Sequence, residues 1–275
     1  MPQSDCPKLK WFILLLVLIC TRSEAQELYV FTEPASNMAT KSIGLRLNNS
    51  FMNETNTSKI NYHLIPEVMI GVSKKVMLHV DAFISNRSNA FDVEGGSLYA
   101  KYRFLSTDDV HKHFRMAAFG RLSFNGSDIH QEEINVYAHN TGVEGGIIAT
   151  QLVHKVAVSS GISFVKAMDN GKNRFIYGED ESRALNYTFS VGKLMLPKEY
   201  KDYKQTNLNL MLESLSQLNL GSGNYYSDIA PSIQFIFNSQ SRVDLGYRLE
   251  LGSTLNRTAP KGLFVRLEYN LFNAY

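Results

Sequence analysis

The sequence predicts an all-β fold, specifically a transmembrane antiparallel up-and-down β-barrel of about twelve strands. Apolar and polar residues alternate with a period of two along most of the 275-residue chain, the pattern of strands with one apolar and one polar face. These stretches average more than about ten residues, whereas strands of soluble sheets usually have about 5 to 6; the longer length suits a tilted crossing of a bilayer. Short and long connections alternate between them, as in outer-membrane barrels.

The composition excludes several classes of protein. The chain has 28 Lys and Arg against 26 Asp and Glu, a net charge of +2, which argues against a nucleic-acid partner. With 20% charged and 44% hydrophobic residues, 18 Gly and only 7 Pro, it is neither disordered nor collagen-like. We therefore expect a folded protein.

The N-terminus has the order of a secretory signal peptide. Lys8 and Lys10 precede an unbroken apolar run over residues 11–20, and small residues follow up to Ala25. A run of about ten apolar residues is too short for a spanning helix, which needs about 20. We expect residues 1–25 to be this signal peptide, and its removal would leave an exported chain without cysteine.

The remaining chain divides into a lead-in and a barrel. Residues 26–41 contain Pro34 and precede the first alternating stretch, so we expect them to be a periplasmic N-terminal lead-in. The barrel is expected over residues 42–275. Its strands are predicted at residues 42–52, 60–73, 76–85, 91–105, 114–124, 141–154, 156–167, 184–196, 206–217, 228–238, 242–251 and 262–275.

The lengths of the connections support the pairing of these strands as hairpins and indicate which end of the barrel faces the periplasm. Short turns are expected at residues 73–75, 154–155 and 238–241, and longer polar loops at 53–59, 125–140, 168–183, 218–227 and 252–261. Short turns of outer-membrane barrels face the periplasm. Residues 86–90 form a short outer loop and 197–205 a long inner turn, so these two connections fit less well.

Charge decides which face of each strand meets lipid. The apolar faces carry Lys166 and Lys193, both near strand ends, where a Lys costs only about 0 to 1 kcal/mol. The opposite faces carry many charges, which require water or partners: Arg46, Glu67, Asp81, Lys101, Arg103, Arg115, Arg121, Glu144, Glu213, Asp244, Arg248, Glu250, Arg266 and Glu268. A polar lumen would supply both.

The last strand carries a resemblance. Residues 267–275 alternate and close on the aromatic Tyr275, and together with the predicted signal peptide and strands they resemble a bacterial outer-membrane β-barrel. This resemblance implies the cell outer membrane as the location, with outer-membrane lipid and the barrel assembly machinery as partners. The overall pattern is also similar to the transporter-like outer-membrane barrels of the meta-pathway of phenol degradation. No functional residue is carried over from that family.

The lumen charges supply the candidate site. The pore-lining candidates are Lys101, Arg103, Arg115 and Arg121 on the fourth and fifth strands, Glu144 on the sixth, and Asp244, Arg248 and Glu250 on the eleventh. Because the fourth and fifth strands lie roughly opposite the eleventh in a ring of twelve, these charges predict a transverse field that orients solutes. The alternative is a paired network that plugs the lumen.

Paired glycines suggest a local cluster within this lumen. Gly95-Gly96 and Gly145-Gly146 follow Glu94 and Glu144, and they permit a bulge. With a bulge at Gly95-Gly96, Glu94 and Glu144 would meet Arg121, either as a structural salt bridge or as a constriction that contacts solute.

We expect a channel or transporter for passive movement of small solutes, with a small-molecule partner, without cofactor or metal and without catalysis. One alternative is a lipid-modifying enzyme, since His79 and Asp81 share a lumen face and Ser85 follows at the rim. Another is a structural or adhesive barrel whose outer loops bind partners.

Overall fold

A computed structural model describes residues 29–55, 57, 59–87, 91–109, 112–198 and 205–275. Twelve antiparallel strands form a closed barrel in which each strand pairs with its sequence neighbours and β1 pairs with β12. The strands are β1 Ile43–Asn53, β2 Ile60–Ile70, β3 Val76–Ser85, β4 Asp92–Asp108, β5 Lys112–Asn125, β6 Gly142–Val153, β7 Val156–Ala167, β8 Arg183–Leu196, β9 Asn207–Asn219, β10 Tyr225–Phe237, β11 Ser241–Ser253 and β12 Lys261–Leu271. Within these described ranges, no helix is long and apolar enough to cross a bilayer.

The predicted barrel of twelve strands is confirmed, with a difference at the C-terminus. The last strand was expected to reach residue 275 but ends at Leu271. Asn273 has a positive φ of 52°, which turns the chain out of the ladder. The Tyr275 hydroxyl then donates to the Gly71 carbonyl at 3.0 Å, so the terminus folds against the end of the second strand.

The exterior of the barrel is apolar and its interior is polar. On β3, Leu78 and Val80 are 37% and 47% exposed, whereas His79 and Asp81, which alternate with them, are buried. The same alternation runs along the other strands, so large apolar side chains are exposed outward while charged side chains are buried inside. This inversion of a soluble protein is the arrangement of a barrel surrounded by hydrocarbon.

The two ends of the barrel differ. At the turn end lie the described residues 71–75, 109, 154–155, 197–198, 205–206 and 238–240, together with the start of β1 and the end of β12. At the loop end lie the described residues 54–55, 57, 59, 86–87, 91, 126–141, 168–182, 220–224 and 254–260. In outer-membrane barrels the turn end faces the periplasm and the loop end faces outward.

The predicted bulge on β4 is present one residue earlier than expected. The pairing of β3 with β4 shifts register so that Glu94 has no partner on β3. Gly95 next to it lies so close to β5 that a Cβ atom would be 1.9 Å from the Phe124 carbonyl oxygen, which only glycine tolerates. Glu94 accepts a hydrogen bond from the Ser85 hydroxyl at 2.5 Å.

The expectation of a periplasmic lead-in is wrong for the part of residues 26–41 that is described. Residues 29–41 run inside the lumen, where Tyr29, Val30 and Ala35 are each 1% exposed or less. Without strand partners of their own, their backbone groups bond to side chains of the barrel wall, as described below. The predicted signal peptide, residues 1–25, lies outside the described residues.

Substituting Arg for an outward-facing residue tests whether the apolar exterior of the barrel contacts lipid. Val80 is outward in the middle of β3, so Val80→Arg is expected to lower the free energy of unfolding in lipid by about 2 to 4 kcal/mol. Val93→Arg, near the loop end of β4, should cost about 1 kcal/mol or less. Urea titration in liposomes measures both. Equal costs at the two positions would contradict the assignment.

Candidate functional site: a lumen closed by two segments

Glu213 on β9 holds the N-terminal segment, defined as residues 29–41. Its fully buried carboxylate accepts hydrogen bonds from the backbone N–H groups of Val30 (2.9 Å), Phe31 (3.1 Å) and Thr32 (2.8 Å). The Thr32 hydroxyl donates a fourth at 2.9 Å. Several N–H donors together stabilise a buried carboxylate anion without a cation. The segment is therefore fixed to the wall through its own backbone.

Other strands hold the rest of the N-terminal segment. Basic side chains donate to its carbonyl and hydroxyl oxygens, and a wall hydroxyl accepts from its backbone. The contacts are Arg266 with the carbonyls of Tyr29 and Val30, Lys101 with the carbonyl of Pro34, Thr150 with the N–H of Ala35, and Arg115 with the hydroxyl of Ser36. Because these residues lie on β12, β4, β6 and β5, the segment crosses the lumen from wall to wall.

An aromatic contact packs the N-terminal segment against β11 and β12. The Phe31 ring lies 4.9 Å from the Phe264 ring, measured between centroids. A Cβ atom on Gly246 would come within 2.9 Å of the Phe31 ring. The absence of a side chain at Gly246 thus makes the space that Phe31 occupies.

Glu33 joins the N-terminal segment to an ion-pair network on the wall. Its carboxylate lies 3.2 Å from Nη1 of Arg46 and 3.3 Å from Nζ of Lys101. Arg46 also contacts Glu67 at 3.1 Å, and Nδ1 of His79 contacts the same Glu67 carboxylate. Glu33, Glu67 and His79 offer the donor types of a metal site. Arg46 and Lys101 already compensate the charge of the two carboxylates, so the arrangement is that of a salt-bridge network.

The inward loop, residues 126–141 between β5 and β6, fills part of the lumen from the loop end. Ile134 exchanges two hydrogen bonds with the Gln217 side chain on β9, at 2.9 Å and 2.8 Å. The Tyr137 hydroxyl accepts from Nδ2 of Asn48 on β1 at 2.7 Å, and the Arg121 guanidinium lies 4.4 Å from the Tyr137 ring centroid. The loop therefore spans the lumen between distant strands.

Arg257, in the loop before β12, is the centre of the second network. It donates to both carboxylate oxygens of Asp228 (2.8 Å and 2.7 Å), to Glu133 of the inward loop (2.7 Å) and to Glu250 (3.0 Å). Arg248 contacts the same Asp228 and Glu133 at 2.6 Å and 3.2 Å. Burial raises the pKa of Glu133, but Arg257 and Arg248 outweigh it and hold that pKa below its usual range. The inward loop is thus tied to the wall by buried ion pairs.

Three histidines surround Arg87 where the inward loop meets the rim. Arg87 donates to ring nitrogens of His130 and His139, both on the inward loop. The His139 ring also lies edge-on to His63 on β2, at 4.7 Å between centroids. Burial and the positive charge of Arg87 lower the pKa of His130 and hold that of His139 well below its usual range. The loop histidines are therefore neutral at neutral pH.

A cavity of about 330 Å³ remains between the two segments and the wall. Its apolar lining comes from Phe31, Ile65, Ile134, Ile148, Leu215, Tyr226 and Phe264, and its charged lining includes Glu67, Arg121, Glu133, Glu144, Arg248 and Arg266. A volume of this size is at the lower end of the range of about 300 to 1,000 Å³ for small-molecule sites. The lumen is thus narrowed by two segments without being filled.

Most of the predicted pore-lining residues lie inside the barrel, but they are paired locally. Lys101 contacts Glu33, Arg115 contacts Asp108 at 3.0 Å, and Arg121 contacts Asp81 at 2.6 Å. On β11, Asp244 contacts Arg242, Arg248 contacts Asp228 and Glu250 contacts Arg257. The expected transverse field is therefore replaced by interleaved ion pairs. Arg103 differs from the others, because it donates to the Lys74 carbonyl at the turn-end rim.

The expected cluster of Glu94, Arg121 and Glu144 does not form. Arg121 pairs with Asp81, Glu94 bonds to Ser85, and Glu144 bonds to Ser163 (2.5 Å) and Asn186 (3.1 Å). These contacts separate the three side chains, although Arg121 and Glu144 are direct cross-strand neighbours.

The proposed catalytic arrangement is likewise not assembled. His79 contacts Glu67, Asp81 contacts Arg121 and Ser97, and Ser85 contacts Glu94. Each of the three side chains is thus bonded to a residue outside the set.

Sequence reasoning missed Glu33, Asp228, Glu133 and Arg257. All but Asp228 lie outside the strands, where no alternation marks the direction of a side chain. Asp228 lies on β10 beside a register shift, which disturbs the alternation there.

Comparisons with solved structures support the fold. The sequence matches no protein-family model, and no curated protein is significantly similar to it. The chain is similar to the COG4313 outer membrane channel from Pseudomonas putida F1, with a TM-score of 0.53 and 11% identity, covering 88% of this chain and 99% of that chain. OccAB2 from Acinetobacter baumannii matches with a TM-score of 0.41 and 12% identity, covering 82% of this chain and 59% of that one.

A likeness at this identity concerns the fold alone. Together with the closed barrel and its apolar exterior, it identifies the chain as an outer-membrane β-barrel, located in the cell outer membrane. The narrower resemblance to barrels of the phenol meta-pathway stays a prediction.

Acid is expected to loosen the inward loop. A released histidine binds a proton near pH 6.5, whereas burial beside Arg87 opposes protonation of His130 and His139. The inward position is thus favoured above pH 6.5. For each pH unit below it, His139 destabilises this position by about 1.4 kcal/mol until it titrates, and the more exposed His130 contributes less because water screens its charge. Hydrogen exchange of residues 130–140, corrected for intrinsic rates, should show at least about tenfold less protection at pH 5.5 than at pH 7.5.

The double variant His130→Gln, His139→Gln serves as the control, and its protection should not depend on pH in this way. Equal protection of the wild-type loop at the two pH values would refute the expectation.

Proposed function

We propose that the protein is an outer-membrane channel for passive movement of small solutes, and that the conformation described is its closed state. One observation carries this proposal: the lumen is crossed by two segments that bind its wall through non-covalent contacts, and the wall side chains alone do not fill it. Barrels of about eight strands are filled by their own side chains, and those of about 16 to 18 leave an aqueous channel. Twelve strands leave a lumen that a segment can occupy or vacate.

The contacts of the N-terminal segment fit a removable closure. It is held by hydrogen bonds to Glu213, Arg266, Lys101 and Thr150, each worth about 0.5 to 1.5 kcal/mol net, or about 1.5 to 3 where one partner is charged. Once it leaves toward the turn end, water satisfies the same wall groups. Opening therefore exchanges protein hydrogen bonds for hydration and breaks no strand pairing.

The lumen charges then line the path. Because acidic and basic side chains alternate as local pairs, the open pore should not select strongly for cations or anions. The likeness to an outer membrane channel at a TM-score of 0.53 is consistent with this function. Solute movement needs no cofactor in this mechanism, because it is diffusion past a polar wall.

Single-channel recording in planar bilayers tests the proposal. Wild-type protein should be closed most of the time with brief openings. Glu213→Ala removes the acceptor of four hydrogen bonds, and Gly246→Leu fills the space of Phe31, so each should raise the open fraction by about tenfold or more. Asn209→Ala is the matched control, because Asn209 faces the lumen on the same strand and bonds to Gln234.

Absence of current from all four proteins would exclude a channel and favour a structural or adhesive barrel. Lipid hydrolysis that is lost in His79→Ala would instead support an enzyme.

A further inference from the structure

The cavity in the lumen contains one carboxylate that is not compensated. Glu144 on β6 lines the cavity and accepts hydrogen bonds from the hydroxyl of Ser163 at 2.5 Å and the amide of Asn186 at 3.1 Å. Both donors are neutral. Within the described part of the chain, no basic side chain lies within ion-pair distance of this carboxylate. The other acidic residues of the lining have cationic partners, Glu33 and Glu67 with Arg46, and Glu133 with Arg257.

The nearest cation is turned away from Glu144. Arg121 is its cross-strand neighbour on β5, yet Nη1 of Arg121 donates to Asp81 at 2.6 Å and to Ser97. The guanidinium also lies between the rings of Tyr99 and Tyr137, at 4.9 Å and 4.4 Å from their centroids. These contacts hold the positive charge toward β3 and β4, whereas Glu144 points toward β7 and β8. Arg121 is thus paired directly with Asp81, and Glu144 has no ion pair of its own.

The walls near Glu144 are apolar. Ile148 follows it on the same strand, and Ile134 of the inward loop and Leu215 of β9 face the same space. A carboxylate at the edge of such a space attracts a cation, and the charge-assisted hydrogen bond is stronger than a neutral one. The apolar walls favour an uncharged, apolar body on that cation.

We propose that the cavity is a binding site for a small organic amine, whose ammonium group binds Glu144 and whose apolar body lies against Ile134, Ile148 and Leu215. Ser163 and Asn186 both donate to Oε1 of Glu144, so two acceptor directions remain on Oε2 and the ammonium group needs no rearrangement of these partners. The proposal deepens the channel function and rests on it only for the route by which the amine arrives. In this proposal, the preference of the site for a cation depends on Glu144.

Calorimetric titration of the full chain in detergent tests the site without any current. The probes are 2-phenylethylamine, the neutral 2-phenylethanol and the anionic 3-phenylpropionate. The amine is expected to bind about tenfold or more tightly than the alcohol. Glu144→Gln retains an acceptor for Ser163 and Asn186 but removes the charge, and it should lower amine affinity by about tenfold while leaving alcohol affinity unchanged.

Glu179→Gln is the matched control, because Glu179 is exposed on the loop after β7, outside the cavity, and its removal should change neither affinity. Equal affinity of wild-type protein for amine and alcohol would overturn the proposal, as would tighter binding of the carboxylate or no binding of any probe. The amine site and the channel function are tested independently. Conduction without amine binding would refute only the amine site, and amine binding without conduction would refute only the channel function.

Discussion

The hydrocarbon around the barrel is the constraint on which the rest of the structure depends. No water is available beside the hydrocarbon, so the charged side chains of the wall face inward except near the strand ends, as at Lys166 and Lys193, and every strand must pair on both edges. The pairing of β1 with β12 meets the second requirement. The first concentrates charge in a lumen only twelve strands wide, and buried charges are costly unless they are paired and hydrogen-bonded.

The two segments inside the lumen reduce the cost of burying these charges, because they supply partners for them. The N-terminal segment brings Glu33 to Arg46 and Lys101, and it brings backbone N–H groups to Glu213. The inward loop brings Glu133 to Arg248 and Arg257. Each segment therefore completes networks that the wall alone leaves incomplete. Closure of the lumen and compensation of its charges are the same set of contacts, which is why a closed state can be stable without covalent links.

Local pairing also determines how the lumen acts on a solute. A wall of separated charge would create a field across the pore, whereas interleaved pairs cancel over short distances. Selectivity then depends on the few groups whose charge is not cancelled nearby. Glu144 is such a group because its cross-strand neighbour Arg121 bonds to Asp81, and the neutral Ser163 and Asn186 hold its carboxylate in place. The fold forms the cavity, and the Glu144 carboxylate, which has no ion-pair partner, gives that cavity a preference for cations.

The sequence by itself determined the wall of the barrel. Apolar and charged residues alternate strictly on strands such as β12, where Leu263, Leu267 and Tyr269 point outward and Arg266 and Glu268 point inward. This pattern identifies the strand and the direction of its side chains, because with a period of two only one orientation keeps the charged residues away from lipid. Only the tertiary structure decided what occupies the lumen. Residues 29–41 and 126–141 have no period, and their positions depend on partners far away in sequence, such as Glu213 and Gln217. Ion-pair partners are likewise chosen by three-dimensional proximity, so the sequence showed that Arg121 and Glu144 face inward but not that Arg121 would turn to Asp81.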